Sequence, residues 1–259
     1  MKKKISFFRL GYPILMTFLT YLPILIVVIY SFNESKISST WGGFSLKWYA
    51  DLLEDAAMFE ALRNSVVLAL VSSVLAAILA TAGALGVHRA RLPGKRLMEQ
   101  TALLPLIIPE IVLGMVFLSF FSLLGLPFGM LTLVLAHTAF CVPYIYTQVR
   151  ARLDGMDMTA VEAARDLGAS GWVAFFTVTL PLIAPAILSG MFLSFAMSFD
   201  DVIISVFCTG VSVNTLPIRV YTQLKTGVTP EINAMCTLML AVTVLCYLAA
   251  ALVKRKKSR

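Results

Sequence analysis

Long apolar runs separated by short polar stretches dominate the hydropathy pattern of this 259-residue chain. A helix needs about 20 predominantly apolar residues to cross the hydrocarbon core of a bilayer. Six runs reach that length, and each predicts a transmembrane helix: approximately 10–31, 62–87, 101–124, 130–149, 183–206 and 232–253. The first run is too long for the apolar part of a signal peptide and lacks an A-x-A-like cleavage site, so we expect an uncleaved helix. The pattern predicts an all-α, polytopic membrane protein with six transmembrane helices.

Composition supports this interpretation, and the basic residues predict an orientation. Hydrophobic residues make up 59% of the chain, charged residues 14%, and the mean hydropathy is +0.88, which excludes an ordinary soluble domain. With the six runs drawn as spans, 16 of the 21 Lys and Arg residues fall on the side that holds both termini. The positive-inside rule therefore predicts cytoplasmic N- and C-termini. The net charge of +7 requires no nucleic acid to explain it.

Two loops on the opposite side of the membrane are predicted to carry short helices. The loop 32–61 contains WGGFSLKWYADLLED, in which Leu46, Tyr49, Leu52 and Leu53 suggest an amphipathic helix along the membrane surface. The loop 207–231 contains TLPIRVYTQLK, which is also compatible with a short surface helix. Neither loop leaves room for a soluble catalytic domain.

The inner loop 150–182 is the most informative segment, because its residues specify two short helices with a turn between them. Thr159 and Glu162 match a capping box, so we expect a helix to begin at Ala160. Gly168 suits the left-handed position that ends such a helix. Ser170 suits the N-cap of a second helix.

The apolar residues and the prolines of this loop carry two further expectations. Val161, Ala164 and Leu167 have the spacing of one helix face, as in a helix that binds in the groove of a partner. The second helix is expected to stop or kink around Pro181, because proline lacks an amide proton and clashes with the preceding turn. A helix that rests on the bilayer is the alternative explanation.

The residues of this loop also match a known motif. They read E-A-A-R-D-L-G-A-S and then L-P-L-I-A-P, which resembles the cytoplasmic coupling loop (the EAA motif) of bacterial ABC-importer permeases. The resemblance implies that the loop binds a separate ATPase subunit and transmits its movement to the membrane helices. It implies ATPase-coupling roles for seven residues: Glu162, Ala163, Ala164, Asp166, Leu167, Gly168 and Ala169.

Other passages extend the resemblance to most of the chain. WGGFSLKWY, PEIV, SFDDVIIS, LPIRVY and TPEINA are similar to passages of type I importer permeases, in particular the second permease subunits of spermidine/putrescine (polyamine) importers. The resemblance implies the type I permease fold, with a single transmembrane domain over 1–259, a core of about 60–250 and the coupling loop at 150–182. It also implies a bacterial inner-membrane location and three kinds of partner: a second homologous permease, two cytoplasmic ATPases and an extracytoplasmic solute-binding protein.

The sequence predicts no chemistry of its own for this chain. It has no G-x-x-x-x-G-K-[ST] phosphate-binding motif. We therefore expect ATP and Mg to bind the partner ATPase, and we expect no cofactor, no metal site and no catalytic residue here. The four cysteines lack C-x-x-C spacing and fall in or beside apolar runs, which is typical of small core residues.

Ionisable residues inside the apolar runs are candidates for function, because burying a charge in a membrane is costly. Glu110 lies in the third run beside Pro109, and Pro105 precedes it by one turn. Two prolines predict a broken helix of the kind that lines a cavity, so we expect Glu110 to face the translocation path. A carboxylate that pairs within the bundle and joins two helices is the alternative.

Asp200 and Asp201 lie in the fifth run, next to a pattern of small polar residues. Gly190, Ser194, Ser198, Asp201 and Ser205 recur at steps of three and four, which places them on one helical stripe. Asp201, which falls on the stripe, is the better candidate for the translocation path. Asp200, rotated by about 100°, has two explanations, a place on the path and a cap on the fourth span or on partner contacts. Close helix packing explains the small residues of the stripe but not a carboxylate.

Histidine and tyrosine side chains complete the candidates. His137 in the fourth run has two explanations, a place on the path and the commoner one of a histidine hydrogen-bonded inside the bundle. Tyr144 and Tyr221 are path candidates, because an aromatic face attracts an ammonium group. Three intramembrane carboxylates without intramembrane Lys or Arg favour a cationic solute over an anion.

Other functions remain open at this point. The same fold is compatible with import of another amine, an opine-like compound or ferric iron. A membrane enzyme that uses Glu110 with Asp200 and Asp201 is a distant alternative, because it lacks H-x-x-x-H or D-x-x-D clusters and leaves the coupling loop unexplained. A structural scaffold would not need buried carboxylates.

Overall fold

The computed structural model describes residues 7–36, 40–89, 94–211, 213–227 and 229–257. Its described parts are helices joined by short connections, with one isolated β-bridge between Asn33 and Phe44. The helices in chain order are α1 (Phe7–Tyr30), α2 (Lys47–Glu54), α3 (Ala56–Arg89), α4 (Lys95–Ala102), α5 (Leu104–Ile107), α6 (Glu110–Leu123), α7 (Met130–Asp154), α8 (Thr159–Asp166), α9 (Gly171–Ala174), α10 (Leu180–Phe199), α11 (Ile203–Cys208), α12 (Leu216–Thr226) and α13 (Pro230–Lys257). The all-α prediction is confirmed.

Each of the six predicted spans overlaps at least one of these helices, and the third and fifth spans are each divided between helices. Four described helices are long and apolar enough to cross a membrane: Gly11–Tyr30, Ala56–His88, Met130–Asp154 and Gly171–Phe199. The shorter apolar helix Glu110–Leu123 lies in the third predicted span, and the stretch Pro230–Leu245 of α13 is apolar and lies in the sixth. The basic turn 90–93 and the terminal residues 1–6 and 258–259, which enter the charge count, lie outside the described residues.

One compact unit comprises residues 1–58 and 220–259, and in it α13 contacts both α1 and α2. The connection from α1 to α2 is held by side chains. The Trp48 indole N–H donates to the Asn33 carbonyl at 2.7 Å, and the Ser31 and Tyr49 hydroxyls are 2.7 Å apart. These bonds anchor α2 next to the end of α1.

The short helix predicted near residue 46 is present as α2, but its buried face differs from the expected one. Trp48 and Leu52 are buried, whereas Leu46 and Leu53 are exposed. The helix begins one residue after Leu46, which leaves that leucine outside the repeating helical face. The second predicted short helix is present as α12. That both lie along the membrane surface stays a prediction.

The second compact unit comprises residues 59–219, and α7 contributes many of its buried residues. α10 packs closely on α7 where Gly190 meets Ile145, since a Cβ at position 190 would lie 2.8 Å from the Ile145 Cα. The Ser194 hydroxyl donates to the Cys141 carbonyl at 3.2 Å in the same interface. The small-residue stripe of α10 is thus a helix-packing face.

The third predicted span is broken at its prolines, as expected. Ile108 and Pro109 have extended backbone, with ψ of 131° and 134°, between α5 and α6. α6 then packs on α11, and Gly114 makes the approach possible because a Cβ there would lie 2.5 Å from the Phe207 ring. The break places Glu110 at the first position of α6.

The fifth predicted span is also broken, and the expectation of a continuous helix over 183–206 is wrong. α10 ends at Phe199, and α11 begins at Ile203. The Asp201 carboxylate accepts hydrogen bonds from the backbone N–H groups of Ile204 at 3.2 Å and Ser205 at 2.8 Å. A side chain that occupies these donors caps a new helix, so the backbone ladder of α10 ends before it.

Candidate functional site

The two neighbouring aspartates at the fifth-span break have opposite surroundings. Asp201 is only 7% exposed, and its carboxylate also accepts a bond from the Ser205 hydroxyl at 2.9 Å. Asp200 is exposed at the end of α10, where its N–H donates to the Ala196 carbonyl at 3.2 Å. The helix break turns Asp201 inward as a cap of α11 and leaves Asp200 exposed, and which of the two faces the path stays a prediction.

Glu110 lies within the electrostatic range of Asp200, Asp201 and Tyr144. The charges of both Asp200 and Asp201 act on Glu110, and the charges of Glu110 and Asp200 act on Tyr144. Glu110 and Tyr144 are partly buried, and Asp200 is exposed. We call Glu110, Tyr144 and Asp200 the acidic cluster. Glu110 is the first residue of α6, and Asp200 directly follows α10. The two carboxylates are therefore about 90 residues apart in the sequence.

Tyr221, the remaining predicted path residue, lies in α12. The Lys225 ammonium lies 4.5 Å from the centre of the Tyr221 ring. The Lys225 ammonium, from the same helix, therefore already makes a cation–π contact with one face of this ring.

His137 has no exposed surface and bonds the residues around the fifth-span break. Its Nδ1 lies 2.8 Å from the Ser198 hydroxyl, and its Nε2 lies 3.1 Å from the Ser205 hydroxyl. The same Nε2 lies 3.4 Å from the Asp201 carboxylate. We call His137, Ser198, Asp201 and Ser205 the His137 network. The spacing of the serines placed Ser198 and Ser205 on one helical stripe. It did not indicate that a histidine of another helix forms hydrogen bonds with both serines.

The coupling-loop helix α8 begins differently from the prediction. It starts at Thr159 and not at Ala160, and no side-chain bond of a capping box forms with Glu162. Instead, the Thr159 N–H donates to the Asp157 carboxylate at 3.0 Å. This backbone hydrogen bond lowers the pKa of the Asp157 carboxyl below its usual value, because it stabilises the charged form.

The turn after α8 has the predicted geometry. Gly168 has a φ of +88°, in the left-handed region, and its N–H donates to the Arg165 carbonyl at 2.9 Å. The Ala169 N–H donates to the Ala164 carbonyl at 3.0 Å, which completes a Schellman motif. The Ser170 hydroxyl accepts a bond from the Val173 N–H at 3.3 Å and caps α9. Gly168 and Ser170 are thus confirmed in their structural roles.

The exposed surface of α8 differs from the face expected to bind a partner. Val161 is buried at 5% exposure, because α8 packs on the segment that follows α9. Leu167 is 89% exposed, although it belongs to the same predicted face. Glu162, Ala163 and Asp166 are also exposed. A partner would therefore meet Leu167 and the polar side of α8, and Val161 attaches the helix to its own chain.

The segment after α9 does not stop at Pro181. A π-helical turn over Phe175–Thr179 leads directly into α10, so the chain runs as one helical span over Gly171–Phe199. The wider π turn precedes the proline, whose ring would otherwise clash with the carbonyl four residues earlier. The coupling loop is therefore joined to the fifth span without a flexible connection.

An ion-pair group lies at the end of α7, just before the coupling loop. The Arg150 guanidinium is 3.0 Å from the Glu99 carboxylate of α4 and 3.3 Å from the Asp154 carboxylate. It also donates to Nδ1 of His88 in α3 at 3.2 Å. This group joins three helices where the coupling loop begins.

No group of three or more His, Cys, Asp or Glu side chains within the described ranges is arranged to hold a metal ion. Cys141, Cys208 and Cys236 are free thiols, and the first two are buried. The side chain of Cys246 lies outside the described residues.

Comparison with known proteins agrees with this architecture. A family model described as binding-protein-dependent transport system inner membrane component matches residues 76–258. The spermidine/putrescine transport system permease protein PotC of Escherichia coli K12 is 36% identical over 239 residues, which cover 92% of this chain and 90% of that protein. The putrescine transport system permease protein PotI of the same organism is 41% identical over 251 residues, 94% of this chain and 89% of that protein.

Solved structures share the fold at low sequence identity. A chain of a bacterial ABC transporter involved in the import of the acidic polysaccharide alginate has a TM-score of 0.74 and 14% identity, and the match covers 98% of each chain. A chain of the MetNI methionine ABC transporter, in an inward-facing conformation, has a TM-score of 0.62 and 18% identity, covering 79% of this chain and 99% of that one. These likenesses show the type I ABC importer permease fold.

The family and the relatives are transport subunits and not enzymes, and they are inner-membrane components of systems that include ATPase and binding-protein subunits. The predicted ABC-importer permease is therefore confirmed, and the alternatives of an enzyme or a scaffold are not supported. This chain belongs to the family of binding-protein-dependent transport system inner membrane components.

Proposed function

We propose that this chain forms part of the membrane path through which an ATP-driven importer carries polyamines such as putrescine and spermidine. The acidic cluster is the observation that carries the proposal. Asp200 and Glu110 lie close enough for their charges to interact, and both charges reach Tyr144. A polyamine has several ammonium groups, which need negative or aromatic partners in place of water.

The charge of the surrounding chain supports a cationic solute. No Lys or Arg occurs in 97–149 or in 166–218, the stretches that hold the acidic cluster and the helices around it. The two relatives PotC and PotI carry spermidine or putrescine in their names, and they align with over nine-tenths of this chain. We infer the same substrate class here.

The proposal includes the assembly around the chain. The whole of 1–259 acts as one permease domain, paired with a second homologous permease, two cytoplasmic ATPases and an external binding protein. α8 docks on an ATPase through Leu167 and the exposed polar residues beside it. Closure of the ATPases on ATP then moves α7 and the continuous span from α9 to α10, and this movement alternates access to the acidic cluster. ATP and Mg bind the ATPases.

Uptake by the reconstituted complex tests the substrate. Vesicles that contain both permeases and both ATPases, supplied with the binding protein and ATP, are expected to accumulate labelled putrescine or spermidine. Excess unlabelled polyamine is expected to compete, whereas sulfate or an uncharged sugar is not. Omitting ATP is the control for passive entry. ATP-dependent accumulation of another solute, without polyamine uptake, would contradict the substrate and leave the family unchanged.

The orientation is tested by thiol labelling. Ala163→Cys in α8 and Leu53→Cys in α2 both replace exposed residues, at opposite faces of the proposed topology. In intact cells a membrane-impermeant maleimide is expected to label the cysteine at position 53 but not the one at position 163. Opening the cells is expected to expose position 163, and the unsubstituted chain controls for the native thiols. Labelling of position 163 in intact cells would reverse the topology.

A further inference from the structure

The helix break at residues 200–202 is bridged by one side chain from another helix. Ser198 lies before the break in α10, and Ser205 lies after it in α11. The imidazole of His137, in α7, bonds both hydroxyls through its two ring nitrogens, at 2.8 and 3.1 Å. Because all three side chains are buried, water does not replace these bonds. His137 thus fixes the two sides of the break relative to each other.

The donors and acceptors of the His137 network form one consistent chain. The Ser205 hydroxyl has a single proton, which it donates to the Asp201 carboxylate. The same oxygen must therefore accept from His137, so Nε2 carries a proton. Asp201 in turn accepts from the backbone of α11 at two positions. The histidine is connected through Ser205 to the carboxylate that starts α11.

The adjacent Asp200 has the opposite surroundings. Asp201 is held inward by its bonds to α11, and the Nε2 of His137 lies 3.4 Å from its carboxylate. Asp200 is left exposed, beside Glu110. Without the hydrogen bonds from His137 to Ser198 and Ser205, the backbone at the break could adopt other conformations. The Asp200 carboxylate would then lose its defined position.

We propose that His137 is a positioning residue of the translocation path: by joining Ser198 to Ser205 and Asp201, it holds the fifth-span break in the shape that presents Asp200 to the passing cation. His137 itself does not touch the solute, since it has no exposed surface. This inference rests on the proposed function only in assigning a cation to Asp200. The positioning itself is a property of the break and is measured separately.

The test measures how accessible position 200 is in the assembled complex. A complex with Asp200→Cys is treated with a methanethiosulfonate reagent that carries a quaternary ammonium group, and the rate of disulfide formation is followed. The rate is compared with that in complexes that also contain His137→Leu, His137→Gln or Thr138→Val. Glutamine keeps a donor and an acceptor, whereas leucine has neither. Thr138→Val is the matched control, because its hydroxyl is buried on the same helix without a hydrogen-bond partner among the described residues.

Position 200 is expected to react readily when His137 is present, and about tenfold more slowly with His137→Leu, a factor that fits the loss of one or two buried hydrogen bonds. His137→Gln is expected to recover most of the rate, and Thr138→Val to match the parent. If His137→Leu fails to assemble, Ser205→Ala removes one link and provides the same comparison. Equal rates in all backgrounds, or no reaction at position 200 when His137 is present, would overturn the positioning role.

Polyamine uptake separates this role from the proposed function. If His137 acts through Asp200, His137→Leu is expected to lower uptake in the parent complex and to cause little further loss once Asp200→Asn is present. Independent losses that multiply in the double variant would point to a general structural role and contradict the proposal. A parent complex that imports no polyamine contradicts the proposed function, while the labelling rates still decide what His137 does.

Discussion

Replacing Gly168 by valine is expected to reduce ATP-driven uptake by at least about tenfold, because the turn after α8 needs a left-handed residue. Gly168 has a φ of +88°, which strains a β-branched residue by about 1–3 kcal/mol. A Cβ at this position would meet no atom within 4 Å, so the added Cβ itself causes no clash. The expected damage is a change in the direction of α9 relative to α8.

The measurements are uptake and solute-stimulated ATP hydrolysis by the complex. Both are expected to fall together, because a misdirected coupling loop does not transmit movement between the ATPases and the membrane helices. Gly171→Val is the matched control: Gly171 lies three residues on, also has open space at its Cβ position, and begins helix α9. Equal losses in both variants would show that the loop tolerates no added bulk and would contradict a special role for the left-handed turn. Wild-type transport by Gly168→Val would contradict the docking model.

Neutralising Asp200 and Glu110 is expected to have the second large effect. Asp200→Asn and Glu110→Gln keep the size of each side chain and remove its charge. The attraction between a carboxylate and an ammonium group 4 Å away is at most about 4 kcal/mol at an effective dielectric of 20. Each ~1.4 kcal/mol added to the limiting barrier slows uptake tenfold, so we expect a loss of about tenfold or more for each variant.

Three variants define the expected pattern. Glu60→Gln changes an exposed acid of α3 and is expected to transport normally. Asp200→Asn is expected to lose uptake while the yield and melting temperature of the complex are retained. Asp201→Asn is expected to lower yield and melting temperature as well, because its buried carboxylate caps α11. Normal polyamine uptake by both Asp200→Asn and Glu110→Gln would contradict the cation path, though not the family.

The predictable part of this protein consists of features that depend on neighbours along the chain. Apolar runs determine which segments form membrane helices, because a bilayer offers no partner to an unpaired backbone group. Pro109 coincides with the break of the third span, where its missing N–H removes one helical hydrogen bond. The positive φ of Gly168 and the cap at Ser170 are equally local, and both appear in the structure.

Local rules were insufficient at the start of α8 and at the fifth-span break. Thr159 and Glu162 satisfy a capping pattern, yet Asp157 takes the backbone donor, because two acceptors close in sequence compete for it. The pair Asp200 and Asp201 looked like part of a continuous helix. Spacing therefore placed Asp201 on an open helical stripe, whereas α10 ends at Phe199 and Asp201 is buried.

The sequence by itself determined the helical membrane fold, the family motif of the coupling loop, the proline break and the set of candidate acids. Only the tertiary structure decided which acid is open, because His137 comes from a helix about 60 residues away and contacts both sides of the break. It also decided that Val161 is buried and Leu167 exposed, since α8 packs on the segment after α9. Hydrogen bonds and packing between distant segments have no signature in residue spacing, so these assignments needed the folded chain.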